Sequence, residues 1–355
     1  MSAAQVSHQN SNPSLLQDAA QAITVGELSR AEGDLQSVLR TAPDDYRALD
    51  LLGVVRVLQR RETGAEKLFR RAIQKKPDFA PAHAHLGLLY GQMGHPEDAV
   101  PQLREAVRLD PARSDASGAL VRIFQDQARA ASATGDSEKA LAFLMDARQY
   151  SPDDPDVNSE LGTVALQMSL WQDAIEAFER TLKMREDDPL ALYNLGRAFM
   201  GLSQFAEARQ PFARYVVVRP DDASGHCALG MTLAALEHVA EARKEFERSI
   251  ALAPAQTESY FRLGLIDLDA KDLDEAATNL HQVLAREPKH AGALSALGRV
   301  AFEQKRYPEA TNLLQQAIAS DESLREAHYY LGLTFARVGR KEEAEAQLQI
   351  ATRLG

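Results

Sequence analysis

The chain has 355 residues, 45% of them apolar and 26% charged, with a formal net charge of −11. Such apolar content supports a continuous core, and the acidic balance excludes a general nucleic-acid binder, which carries a basic stripe. A single cysteine, Cys227, leaves no intrachain disulfide and no thiolate metal site, and fits a reducing compartment. No apolar run approaches the roughly 18 residues of a membrane span. The start, MSAAQVSHQNSNP, has neither the basic nor the apolar region of a secretory signal. The expectation is a cytoplasmic protein with no membrane span.

In chain order, residues 1–13 are polar and aperiodic and are expected to form a disordered tail. Residues 14–355 are then filled by one recurring unit, clearest from Ala82 to Pro111. Its apolar residues return at helical spacing before Gly94 and again after Pro96, where proline and two acids mark a second helix start. One such helix pair cannot bury its apolar face alone, so the units must stack. An anchor glycine recurs every 34 residues from Gly53 to Gly87 and from Gly162 through Gly196, Gly230, Gly264 and Gly298 to Gly332. Twelve residues after these anchors stand Ala65, Ala99, Ala174, Ala208, Ala242, Ala276, Ala310 and Ala344. Four residues further comes Phe or Leu, as in Phe69, Phe178, Phe212, Phe246 and Leu280, and a proline such as Pro77, Pro220, Pro254 or Pro288 commonly closes the unit.

This pattern resembles the tetratricopeptide repeat, TPR. The resemblance implies an all-α, right-handed solenoid, a superhelix of stacked antiparallel helix pairs. The repeats are expected at about 12–45, 46–79, 80–113, 121–154, 155–188, 189–222, 223–256, 257–290, 291–324 and 325–355. The first is degenerate, with Ala19 in place of the anchor. The fourth has Ala128 there, 41 residues beyond Gly87, so seven residues are extra. Seven residues turn a helix by only about 20° from its starting register. The first helix is therefore expected to lengthen, from about Asp115 to Ala133, capped by Ser114 or Asp115, with a longer loop as the alternative. Gly118 counts against the helix.

Twenty residues after the anchor, where the next repeat should pack, the residue is aliphatic from Ile73 to Ile318, except for Arg148 and Thr352. Arg148 and the insertion together mark 111–155 as the expected hinge. Thr352 suits an end that meets solvent. No further solvating helix follows it, so that face is expected to be open to a partner or to self-association.

Among candidate sites, the lone Trp171 has the counterparts Phe205, Val239, Leu273 and Tyr307 and reads as a hydrophobic staple of the helix it introduces. His83 with His85, and His226 with Cys227, lack further ligands at useful spacing, so no metal site is expected. No nucleotide, zinc-protease or serine-hydrolase motif occurs, and no catalytic residue or cofactor is assigned.

The resemblance further implies a concave groove lined by first helices and by the residues beside each Leu-Gly. The carboxylate clamp of chaperone-binding TPR domains is missing, because Asp50 and Val54, Ala84 and Leu88, Ser159 and Thr163 stand at its places. The asparagine ladder of O-linked N-acetylglucosamine transferases is missing too, Asn194 being its one match. The distinctive positions are Tyr193, Asn194 and Arg197, Phe261 and Arg262, Arg299, and Tyr329 with Tyr330. Arginine forks and aromatic rings are favoured interface residues. Asp50, Asp126, Asp156, Ser159 and Glu160 make the earlier groove acidic. The expected function is a non-enzymatic scaffold for a peptide or protein partner, not nucleic acid. The alternative is an accessory or targeting subunit of a separately encoded enzyme or of a secretion or assembly machine.

Overall fold

The computed structural model describes residues 3–354, with side chains from Asn12 onward. Among the described residues it contains helices and turns and no strand. The chain divides into two compact units, Met1–Met168 and Ser169–Gly355. The first holds α1 (Ala3–Thr24), α2 (Leu28–Thr41), α3 (Tyr46–Leu58), α4 (Glu62–Lys75) and α5 (Ala80–Met93). It continues with α6 (Pro96–Leu109), α7 (Ser114–Ala133), α8 (Ser137–Tyr150) and α9 (Pro155–Gln167). The second holds α10 (Trp171–Met184), α11 (Pro189–Gly201), α12 (Phe205–Val218), α13 (Ala223–Ala235), α14 (Val239–Leu252) and α15 (Glu258–Asp269). It ends with α16 (Leu273–Arg286), α17 (Ala291–Glu303), α18 (Tyr307–Ser320), α19 (Arg325–Arg337) and α20 (Lys341–Arg353). Of the tail expected over 1–13, Met1 and Ser2 lie outside the described residues. Residues 3–11 are described in backbone only, as the first turns of α1.

Each pair is locked where its helices cross. A Cβ on Gly196 would stand 2.7 Å from the Phe212 ring, and one on Gly298 would stand 2.5 Å from Leu314. Only hydrogen fits there, which is why glycine returns with the period. The alanines twelve residues on are fully buried and let the second helix approach. Aspartates start several first helices: Asp45, Asp154, Asp188 and Asp222 each accept hydrogen bonds from backbone N–H groups of the first turn.

The turn inside the pair requires a left-handed residue seven positions after the anchor. Gly26, Gly94, Gly135 and Gly339 supply it at φ 78–83°. Arg60, Ser169, Ser203, Glu237, Lys271 and Lys305 adopt the same conformation, φ 58–68°, without being glycine.

The seven extra residues lengthen α7, which runs for 20 residues from Ser114 to Ala133. Its cap differs from expectation. Arg113 occupies the N-cap position and makes no side-chain cap bond. Asp115 instead pairs with Arg113 at 2.7 Å and accepts from the Ala116 N–H at 2.9 Å. The buried core of the first unit runs on through this segment, from Phe69 and Leu103 through Leu120 and Phe124 to Ala147 and Val157.

Trp171 reaches the next first helix: a Cβ on Gly201, at the end of α11, would meet its ring at 2.6 Å. The histidines act as stitches. His83, His226 and His328 occupy one repeat position, four before the anchor. Each bonds a carbonyl six residues earlier and a side chain 19 residues later: Gln102, Glu245 or Gln347, at 2.6–2.9 Å. His85 bonds Asp50 at 2.8 Å, across successive first helices.

In the second unit α13 touches α15, α15 touches α17 and α17 touches α19, while the second helices α12, α14, α16 and α18 make no comparable contacts with one another among the described residues. The same holds in the first unit for α1, α3, α5, α7 and α9. First helices therefore lie on the inner side of each unit's curvature.

Candidate binding face on the second unit

All eight expected groove residues belong to the second unit and to its first helices. They form three groups. On α11, the exposed Arg197 lies over the Tyr193 ring at 6.0 Å and donates to Asn194 Oδ1 at 3.3 Å. Tyr193 is half-buried against Phe212 and Tyr215, with ring centroids at 5.7 and 5.1 Å, and burial pushes its phenol above the ordinary value. Asn194 is 5% exposed, so it supports Arg197 from beneath. No acid lies within ion-pair distance of Arg197 among the described residues.

On α15, Arg262 lies over Phe261 at 5.8 Å and donates through Nε to Glu258 Oε1 at 2.7 Å. Phe261 is held by His290 at 4.8 Å between ring centroids and by Gly292, where any Cβ would meet its ring at 2.8 Å. The third group spans helices. Arg299 on α17 reaches Asp269 on α15 at 3.1 Å and Glu326 on α19 at 3.4 Å, over the Tyr330 ring at 5.6 Å. Its side chain is 19% exposed. Tyr330 is half-buried edge-on to Phe302 and Tyr329, while Tyr329 is 44% exposed.

The three arginines thus differ in kind. Arg299 ties three successive inner helices together. Arg262 has one exposed acid four residues away on its own helix, an arrangement worth only a few tenths of a kcal/mol. Arg197 has none. The i, i+4 spacing of Glu258 and Arg262 is readable in the sequence, but the partners of Arg299 come from other repeats and are not.

Sequence reasoning missed two features. Asp267 is fully buried at a position where other repeats hold Phe199, Leu233, Ala301 or Phe335. It is neutralised by Arg243 and accepts from Asn279 Nδ2 at 2.8 Å. The other is a cavity of about 470 Å³ between α13, α14 and α15, walled by Leu265 and Ile266 with Arg262 and Asp269 at its rim. Of the acidic positions expected in the first unit, Asp50 is buried on His85, and Asp126 and Glu160 share Arg129 at 3.0 Å each. His95, Glu97 and Asp98 form an exposed cluster at the start of α6. No helix among the described residues is long and apolar enough to cross a membrane.

Consecutive packed helix pairs, locked by periodic glycines and touching only near neighbours, define an α-solenoid. A family model described as the C-terminal domain of cilia and flagella-associated protein 70 matches residues 6–259. The TPR domain of cytochrome c-type biogenesis protein H matches 216–323, and a general tetratricopeptide repeat model matches 306–355. The first match covers more than half of the chain, and the chain belongs to that family, one of the tetratricopeptide repeat families. Type IV pilus assembly protein PilF of Pseudomonas aeruginosa is 31% identical over 29% of this chain and 52% of its own length. The chain therefore spans about half of that curated relative. Among solved structures, a tetratricopeptide repeat protein from Parabacteroides merdae superposes with TM-score 0.55 at 14% identity, over 66% of this chain and 93% of its own. The Cut9–Hcn1 hetero-tetramer of the APC/C contains a chain that matches with TM-score 0.52 at 12% identity, over 100% of this chain and 96% of that one. Both likenesses concern the fold.

Proposed function

We propose that this chain is a non-enzymatic interaction scaffold that holds a peptide or protein partner on the inner face of its second unit. The observation that carries this reading is Arg197, an exposed guanidinium without an acid, set over Tyr193 on a first helix. Arg262 with Phe261, and the exposed ring of Tyr329, extend the face along the unit. A stacked array presents such a surface preformed, so binding costs little ordering of the scaffold.

The test is affinity capture from native lysate with the intact chain and with the double variant Arg197→Glu/Arg262→Glu, followed by mass spectrometry. Loss of the principal partner at unchanged far-UV helicity supports the reading, and undiminished capture moves the site elsewhere. Arg299 stays out of that variant, because a glutamate there would sit between Asp269 and Glu326 and disturb the joint itself.

A second reading, a subunit of an assembly machine, is favoured by the identity with a protein named for type IV pilus assembly. Recovery of several subunits of one complex in stoichiometric amounts would support it over a single peptide-bearing partner.

A further inference from the structure

In a repeat array, a position says most where one unit departs from the rest. Four residues after the anchor, the second unit carries Met200, Ala234, Leu268, Phe302 and Ala336. Six residues after, it carries Leu202, Leu236, Ala270, Gln304 and Val338. Nine residues after, it carries Phe205, Val239, Leu273, Tyr307 and Lys341. The small members Ala234, Ala270 and Val239 come from two successive repeats, yet the stacking brings them to one place. Where repeat six carries Met200, Leu202 and Phe205 at these positions, a slot of about 470 Å³ stays open here. That volume lies within the range of small-ligand pockets.

We propose that this slot is the anchoring subsite of the binding face, and that it takes the bulky apolar side chain of an extended peptide with an acidic residue beside it. This deepens the reading given above and rests on it. The apolar part follows from the walls: Leu265, Ile266 and Val239 offer no hydrogen bond, and Val239 is 48% exposed at the opening. The acidic part follows from the rim. Asp269 is already engaged by Arg299, so its charge is answered. Arg262 uses only Nε, toward Glu258, and both of its terminal amines make no hydrogen bond among the described residues. A planar guanidinium with two open N–H groups fits a carboxylate bidentately. The exposed Glu258 pair is easily replaced by such a ligand. The unpaired Arg197 adds positive charge to the same inner face, so a peptide with acids around its apolar anchor complements the surface in both respects.

The test uses amide-capped, fluorescein-labelled Gly-Ser-Glu-Phe-Glu-Ser-Gly, with Gln-Phe-Gln and Glu-Ser-Glu versions, titrated against the intact chain by fluorescence anisotropy. Saturable binding of the first peptide is expected, about tenfold weaker with Gln, as for loss of a charge-assisted bond. Binding of the version lacking Phe should not saturate. Ala234→Met places in repeat seven the residue that repeat six carries at Met200. Ala270→Leu copies Leu202 and Leu236. Each should weaken binding at least tenfold while melting as the parent does, and Ala336→Met, away from the slot, should leave it unchanged. Equal binding of all three peptides, no binding of any, or full binding by a folded Ala234→Met or Ala270→Leu chain overturns the proposal. The cellular partner separates the two levels. If Ala234→Met retains it and Arg197→Glu/Arg262→Glu loses it, the slot fails and the face stands. If both retain it, the face itself fails.

Discussion

Asp267 shows what one residue can do inside a periodic core. Its repeat position is apolar in the neighbouring repeats, and a carboxylate there would be costly without Arg243 and Asn279 on the flanking second helices. Removing one member of such a set leaves the others desolvated. Asp267→Ala should therefore lower stability by about 3 kcal/mol, read as a shift of the urea midpoint, and a loss below about 1 kcal/mol would show that Arg243 simply turns to solvent. Residues like this mark the limit of reading by period. Gly196, Ala208 and Phe212 were legible because the same crossing recurs, whereas Asp267, Arg243 and Asn279 make sense only together and stand on three helices. The same reason hid the slot: Ala234 and Ala270 are unremarkable singly and matter through their alignment. Arg197, by contrast, stood out beside its Leu-Gly and proved exposed.

At the scale of the element, the first helices owe their starts to aspartate caps. Asp222 accepts from the Ser224 N–H at 2.9 Å and from the Tyr215 hydroxyl, one side chain joining the end of one repeat to the start of the next. Burial alone would raise the Asp222 pKa, but the hydrogen bonds from Tyr215 and Ser224 and the nearby Arg219 outweigh it, and the value falls below the ordinary one. In turn, burial and Asp222 push the Tyr215 phenol up to about 12. A depressed aspartate contributes stability that is present above its unfolded value, about 3.9, and is lost as pH falls through the lower folded value. Asp222→Ala should therefore cost about 1 kcal/mol at pH 7, and the gap to the parent should narrow as pH falls below the unfolded value of about 3.9. A gap that persists in acid would assign the cost to packing instead. The length of α7 was legible too, since seven residues preserve helical phase. Its cap was not, because Arg113 and Asp115 satisfy each other first.

Across each unit of the molecule, a helix touches its next or next-but-one neighbours within that unit and little else among the described residues. Stability in such an array is close to a sum of local terms. Gly298→Ala forces a methyl group into Leu314 and should destabilise by about 1–3 kcal/mol. The accompanying loss of amide protection should be confined to α16 through α19. Loss spread evenly over both units would mean a single cooperative block. The same exchange experiment tests the hinge proposed at 111–155: amides of α8 should exchange faster than those of α6, and equal protection would end that proposal. The fold class and repeat phase were readable from end to end because one local rule was reapplied. The identity of whatever binds was not, since a ligand is recognised by departures from the rule.

The six left-handed turns built without glycine carry a consequence for engineering. Each holds an ordinary side chain in a conformation disfavoured by about 1 kcal/mol. They lie a repeat or more apart, so their effects should add, and none of them lines the slot. Substituting glycine stepwise at Arg60, Ser203, Glu237, Lys271 and Lys305 should raise the melting temperature in near-equal increments while leaving peptide affinity alone. Such a ladder of variants would act as a stability dial mechanically separate from recognition. A rung that raised the melting temperature and altered affinity together would reveal that the turns and the inner face are coupled.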